Sequence, residues 1–480
     1  MTPFSRRALI VTGAVAVVAA ASWKWQRRAL PSTILDLRPL DATHVAVIRR
    51  DARAAGDTAF EDSYVEQLSA TTRAWRQTLP ETLDLGAGVS FRDNAVVVGD
   101  MLVVRGVYQL GHGERPRLFG LRAEDGAVMW TASPLADGSA LSPTSRPAAA
   151  ALLAAGDRVV SFFSTGQGDA ERLLAIAYEA ETGREVWRAD VPAPLVAQPI
   201  WLRANLLLVS SERGVTVFDA RTGEQRARLG AAGEAGVCVL VDRAWTLQQG
   251  EIHELALPSL QERTLPAPDL VLDGPCGTRG SNVWLIAHTR PPLDVPVESF
   301  LVALDRDSGR EVVRIPLDAE DPSWMAFAIS RAAADQRDAS GALPRFVPHR
   351  GRVGTAQTRL SVLDLDQHRV AWATAAREDL AAFDQGVVRL GKHYLLVHSD
   401  GSDIALSEIS GETGELTAAV DCPGCRLLKI GVDGLWLSTD WDVASVDPTT
   451  LVATPFLGKL ELNDTLAQTR TFLAPAVTPP

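Results

Sequence analysis

Cysteine is scarce in this chain: four residues in 480, too few for a fold built on disulfides at that length. Basic charge is in the minority, with 47 Lys and Arg against 59 Asp and Glu and a net charge of −12. That balance excludes a general nucleic-acid binder, which needs a clustered basic face to meet phosphates. The usual sequence marks of chemistry are missing too. There is no His-Glu-x-x-His, nucleophile elbow, phosphate loop or Rossmann glycine pattern. The eight histidines are scattered, with no ligand spacing among them. No catalytic residue, cofactor site or metal site is expected.

What is present begins with a leader. Arg6 and Arg7 precede an uncharged run from Ala8 to Ser22, followed by Trp23, Lys24, Trp25, Arg27 and Arg28. A basic start and about fifteen apolar residues fit a secretory signal better than a full span of ~20 residues. Ala19-Ala20-Ala21 supplies a cleavage site, while the two tryptophans and Lys24 suit a short retained anchor. Residues 1–28 are therefore expected to be a signal peptide or membrane anchor. A linker is expected over 29–40, a folded body over 41–462 and a tail over 463–480. Export places the body in the periplasm or outside the cell, with an N-terminal hold on the inner membrane if the leader is retained.

The body repeats itself. Its phrase is an alternating strand, a polar turn ending in Gly, and a short strand with Trp four residues beyond. The phrase runs from Leu118 through Gly126 to Trp130, and from Leu174 through Gly183 to Trp187. It returns around Gly223, Gly309, His368 with Trp372, and Gly414. Period-two alternation gives a strand a buried face, and the Gly gives a tight hairpin its positive φ. A single three- or four-stranded sheet is marginal alone, so each must stack on its copies. Turns near 71, 126, 183, 223, 260, 309, 368, 414 and 450 mark nine segments, of which the first and last are degenerate. Ring closure by sharing one unit between the termini gives an expectation of eight units, with seven and nine left open.

These residues resemble the PQQ-like repeat proteins, whose repeats read as an alternating strand, Asp, Thr-Gly and Trp. The resemblance implies an all-β fold, a single β-propeller of four-stranded antiparallel blades, behind an N-terminal hydrophobic helix. Within that family the chain is most similar to the outer-membrane-assembly propellers, which implies a non-catalytic scaffold whose partners are other envelope proteins. Those proteins usually carry Cys at the cleavage site, whereas the first Cys here is Cys238. Two other readings stay open: an extracytoplasmic ligand-binding or sensor propeller, and a PQQ-dependent oxidoreductase. The quinone-dependent enzymes of the family resemble one another in an adjacent Cys pair, which this sequence lacks.

Two local features complete the expectations. Cys422-Pro-Gly-Cys425 reads as a turn clamped by a disulfide between Cys422 and Cys425. Cys238 and Cys276 fall in units distant from that turn and so add no metal ligands to it, and Cys238 reads as a small buried hydrophobe. The stretch 331–359 reads as a basic insertion loop for an acidic partner or anionic headgroups, through Arg331, Arg337, Arg345, Arg350, Arg352 and Arg359. A second insertion, 289–298, carries Pro291, Pro292 and Pro296.

Overall fold

The computed structural model describes strands and tight turns within residues 32–455. The connections 52–62, 80–94, 135–151, 192–199, 289–298, 318–342 and 374–386, several shorter links, and both termini (1–31 and 456–480) lie outside the described residues. The expected leader and tail fall there. Among the described residues no helix is long and apolar enough to cross a membrane.

Nine antiparallel sheets follow one another along the chain. We number them by span: sheet 1 (32–78), 2 (95–132), 3 (153–191), 4 (200–229), 5 (236–266), 6 (271–317), 7 (346–373), 8 (387–422) and 9 (427–455). Eight have four strands in sequence order, and sheet 7 shows three. The count is one above the expected eight, at the upper end of the range left open. The degenerate terminal segments account for the difference, because each builds a sheet of its own. Sheet 1 recruits Ser32–Pro39, which was expected to be linker; its Ile34 and Leu37 are buried, so the folded body begins earlier than 41.

Alternation explains the stacking. In Arg158–Thr165 of sheet 3, Val159 and Phe163 join an apolar cluster with sheet 2, while Val160 and Phe162 join one with sheet 4. Sheet 3 thus buries both faces, which an isolated sheet could not do. Similar clusters join sheets 1 and 2, 4 and 5, 5 and 6, and 6 and 7. The last sheet returns to the first: Trp436 and Val443 pack with Ile34, Leu37, Val45, Val47 and Leu68. Neighbouring first strands approach one another, as Gly236–Val239 does Val271–Arg279, so first strands lie at the hub and fourth strands at the rim. The result is a propeller whose last sheet meets its first, and in which sheets 1 to 6 bury both faces among the described residues.

The two sides of this ring differ. In five sheets the N–H three residues before the turn Gly position donates to the carbonyl in the turn joining the first two strands. The pairs are Ala123 with Asp100, Ala180 with Asp157, Ala220 with Asn205, Leu257 with Asp242, and Arg306 with Ser281; in sheet 7 Leu365 donates likewise to Arg345, just before Phe346–Val353, so that strand and the two after it hold the second, third and fourth (rim) places of the repeat. Both kinds of short turn therefore share one side, the turn face. Second-to-third-strand links and sheet-to-sheet links leave from the other, and every described strand followed by more than six residues before the next strand ends there. We call it the insertion face.

Candidate interaction face and inter-sheet locks

The repeated Gly and Trp form a lock between sheets. Trp75, Trp130 and Trp187 each lie over the turn Gly of the next sheet. A β-carbon there would stand 2.3 Å from Trp75 at Gly126, 2.4 Å from Trp130 at Gly183, and 2.6 Å from Trp187 at Gly223. Each indole N–H also donates across the junction, to the carbonyl of Ala123 (2.9 Å), Ala180 (2.8 Å) and Ala220 (3.0 Å) respectively. Those glycines have φ between +68° and +73°, so they are fixed both by backbone conformation and by the ring above them. Trp372 is buried in the same role position, but Gly414 lies outside the described residues.

At two junctions that lack the Trp, the turn position changes with it. Sheet 4 offers Ala227, and sheet 5 answers with Leu260 at φ +59°, both joining one apolar cluster. Sheet 6 offers Val313, and sheet 7 answers with His368 at φ +54°, its ring 5.7 Å from that of Trp284. At the junction of sheets 5 and 6 the Trp is missing but Gly309 stays, facing Leu265 and Pro266.

Between sheets 5 and 6, charge takes the indole's place. Arg243 Nη1 (3.3 Å) and Arg263 Nη2 (3.5 Å) donate to the carbonyl of Arg306, the position the Trp reaches elsewhere. Glu254, 4% exposed, holds both guanidiniums, with Arg263 Nε at 2.6 Å and Arg243 Nη1 at 3.0 Å, and accepts from Trp245 Nε1 at 2.7 Å. Burial pushes the Glu254 carboxyl up, but these hydrogen bonds and the two positive charges outweigh it and hold it below the usual range. Asp242 bridges Arg243 and Arg306 at the edge of the same network.

A disulfide joins Cys238 to Cys276 at this junction, with 5.5 Å between α-carbons. This corrects the reading of Cys238 as only a buried hydrophobe. The two cysteines lie on the hub strands of consecutive sheets, 38 residues apart. That separation is about one repeat, which is the signal the sequence offered. Cys422 ends the strand Leu416–Cys422, and Cys425 lies outside the described residues.

The basic segment is only partly a loop. Phe346–Val353 and Gln357–Asp364 pair as a hairpin of sheet 7, while Arg331 and Arg337 lie outside the described residues. Arg345 leaves the candidate set. Its Nε and Nη2 bind buried Asp364 at 3.0 and 2.8 Å, and its guanidinium lies 4.7 Å from the Phe346 ring centre. Those hydrogen bonds hold the Asp364 carboxyl below its usual range. Asp366 in turn binds Arg279 of sheet 6 through both oxygens, at 2.5 and 2.6 Å. Arg345 and Arg279 thus lock sheet 7 to itself and to its neighbour.

Arg350, Arg352 and Arg359 stand elsewhere. Among the described residues the rim strand of sheet 7 pairs no further than Ser361, and the register Arg350–Leu360 to Val353–Gln357 extends beyond it. This overhang points to the insertion face. Sheet 2 has a second one, from Gly106–Arg117 to Leu110–Gly113, past the last rim pair at Leu118. It brings Arg115 and Arg117, which the sequence reading did not single out because nothing in the repeat phrase marks a strand longer than its neighbour. Among the described residues no group of three or more His, Cys, Asp and Glu is placed to hold a metal ion.

The family profile described as outer membrane protein assembly factor BamB matches residues 168–413, just over half of the chain. The chain belongs to this PQQ-like family. Among solved structures, BamB from Moraxella catarrhalis is similar at 14% identity, covering 89% of this chain and 97% of that one, with a TM-score of 0.42. TolB from Acinetobacter baumannii is similar at 11% identity over 65% of this chain and 77% of its own, with a TM-score of 0.27. No curated protein matches.

Proposed function

We propose that this chain is a non-catalytic scaffold of the cell envelope, with a role in outer-membrane or envelope assembly, whose insertion face receives other envelope proteins. Family membership supports the assembly role, since the matching profile is described as an outer-membrane assembly factor. The observation that carries the binding site is the asymmetry of the ring: one side is closed by short turns, and the strands that lead into the long connections all end on the other. Scaffolds place variable loops on rigid frames in this way. The two hairpins that run toward that face carry Arg115, Arg117, Arg350, Arg352 and Arg359 along their strands, a basic stretch of sequence on an acidic protein. An acidic protein surface is the partner this charge fits.

The leader supports an extracytoplasmic site of action, and so does a buried disulfide, a bond that persists in oxidising compartments. The test is cross-linking and affinity capture from envelope membranes, comparing the full chain with one lacking residues 1–28 and one with Arg350, Arg352 and Arg359 changed to Glu. Captured proteins are expected to be lost from the charge-reversed chain. Unchanged capture would remove the overhang from the binding site. Cofactor-dependent absorbance after incubation with the quinone would instead favour the oxidoreductase reading.

A further inference from the structure

We propose that the Cys238–Cys276 bond is an obligatory modification of this chain, installed by a disulfide-bearing oxidoreductase before sheets 5 and 6 close on each other. Burial sets the order of events. Cys238 is 0% exposed and Cys276 7% exposed, and both sit inside the cluster that joins the two sheets. Thiol–disulfide exchange needs a thiolate to approach a sulfur of the donor disulfide, and then a second thiolate to approach the mixed disulfide. No protein donor reaches either sulfur once Trp245, Leu285 and Val302 have packed around them. The exchange therefore belongs to the stage when both hub strands have left the membrane but the junction is open.

The chemistry balances with the donor alone. One chain thiolate attacks the donor disulfide and expels a donor thiolate. The second chain thiolate attacks the chain sulfur of the mixed disulfide and expels the donor's other thiolate. Two chain thiols are oxidised, two donor sulfurs are reduced, and the chain's two protons pass to the donor dithiol or to water. The partners lie in consecutive sheets, so the bond needs no later part of the chain.

Its placement gives it a purpose. Junctions 1–2, 2–3 and 3–4 close on an indole over a glycine, whereas junction 5–6 closes on the Arg243–Glu254–Arg263 network. Such a network is assembled only after several charges are desolvated together, and it contributes less than an apolar wedge of similar size. A covalent tie at the hub holds the two sheets in register while the rim charges pair.

The test needs the full chain purified without reductant, alkylated in denaturant, digested and mapped. The peptides holding Cys238 and Cys276 are expected to be joined. Free thiols at both positions, or a bond from either to Cys422 or Cys425, would overturn the proposal. A second arm compares reduction of the native and the denatured protein by dithiothreitol. Native reduction is expected to be on the order of 100-fold slower or more, because it waits for the junction to open. Equal rates would show a bond accessible after folding and would end the argument about order. A third arm refolds the reduced chain with and without an oxidised dithiol protein; folding that is equally complete without it shows the modification to be dispensable.

Discussion

Replacing Gly183 by Ala separates steric locking from backbone strain, because the ring supplies its own control. At Gly183 the new methyl has two costs. The residue sits at φ +68°, where an L side chain loses about 1–2 kcal/mol, and its β-carbon falls 2.4 Å from the Trp130 ring. Overpacking a filled site adds about 1–3 kcal/mol, giving a total near 3 kcal/mol. Gly156 has almost the same φ, +65°, but nothing lies within 4 Å of a β-carbon there, so Gly156→Ala meets the strain alone, about 1–2 kcal/mol. Urea unfolding followed by tryptophan fluorescence and circular dichroism measures both, with coincidence of the two signals as the check on a single transition. In a Trp130→Ala background the Gly183→Ala cost is expected to fall to the Gly156 value, a coupling of about 1–3 kcal/mol. Equal costs for Gly156→Ala and Gly183→Ala in the intact chain would refute the lock.

The other locks give distinct outcomes. Glu254→Gln is expected to destabilise the chain by about 3 kcal/mol at neutral pH, since it leaves two part-buried guanidiniums without their carboxylate, and a melting curve checks it. The folded-state carboxyls of Glu254 and Asp364 lie below their usual values, so their contribution is complete above about pH 4.3 and is lost as pH falls through the lowered values. Acid titration of Glu254→Gln should therefore show a shallower loss of stability than the parent. Leu260→Gly, which in another setting would relieve a positive φ, is expected to destabilise by opening a cavity against Ala227, and the same urea assay decides its sign. Cys238→Ala with Cys276→Ala is expected to lower the yield of folded chain, and to cost the fraction that folds about 2–4 kcal/mol against the oxidised parent.

How far the sequence carried the account depends on which interactions repeat. The turn glycines and following tryptophans recur at fixed spacing, and Gly126, Gly183, Gly223 and Gly309 all take the left-handed conformation their turns demand. The frame was legible for that reason. Sheets 1 and 9 were harder, because a terminal sheet keeps alternation but not the Gly-Trp phrase. The substitutes were hidden for another reason. Arg263, Glu254 and Arg345 look like ordinary solvated charges along the chain, and only the stacking of neighbours puts them against a carbonyl or a buried carboxylate. Cys238 was misread because it was weighed within its own unit, not against the same strand of the next. The candidate face was legible as a charge excess around 331–359, but not as an overhang, which depends on where the rim strand stops pairing.

The most direct test of the account places one photo-reactive residue at a time on each side of the ring in the full chain, in envelope membranes. The positions are Asn205 and Gly156 on the turn face, and Arg115 and Arg352 on the insertion face. Protein adducts are expected from Arg115 and Arg352 and not from Asn205 and Gly156. Adducts from the turn face alone would contradict the assignment of the binding side.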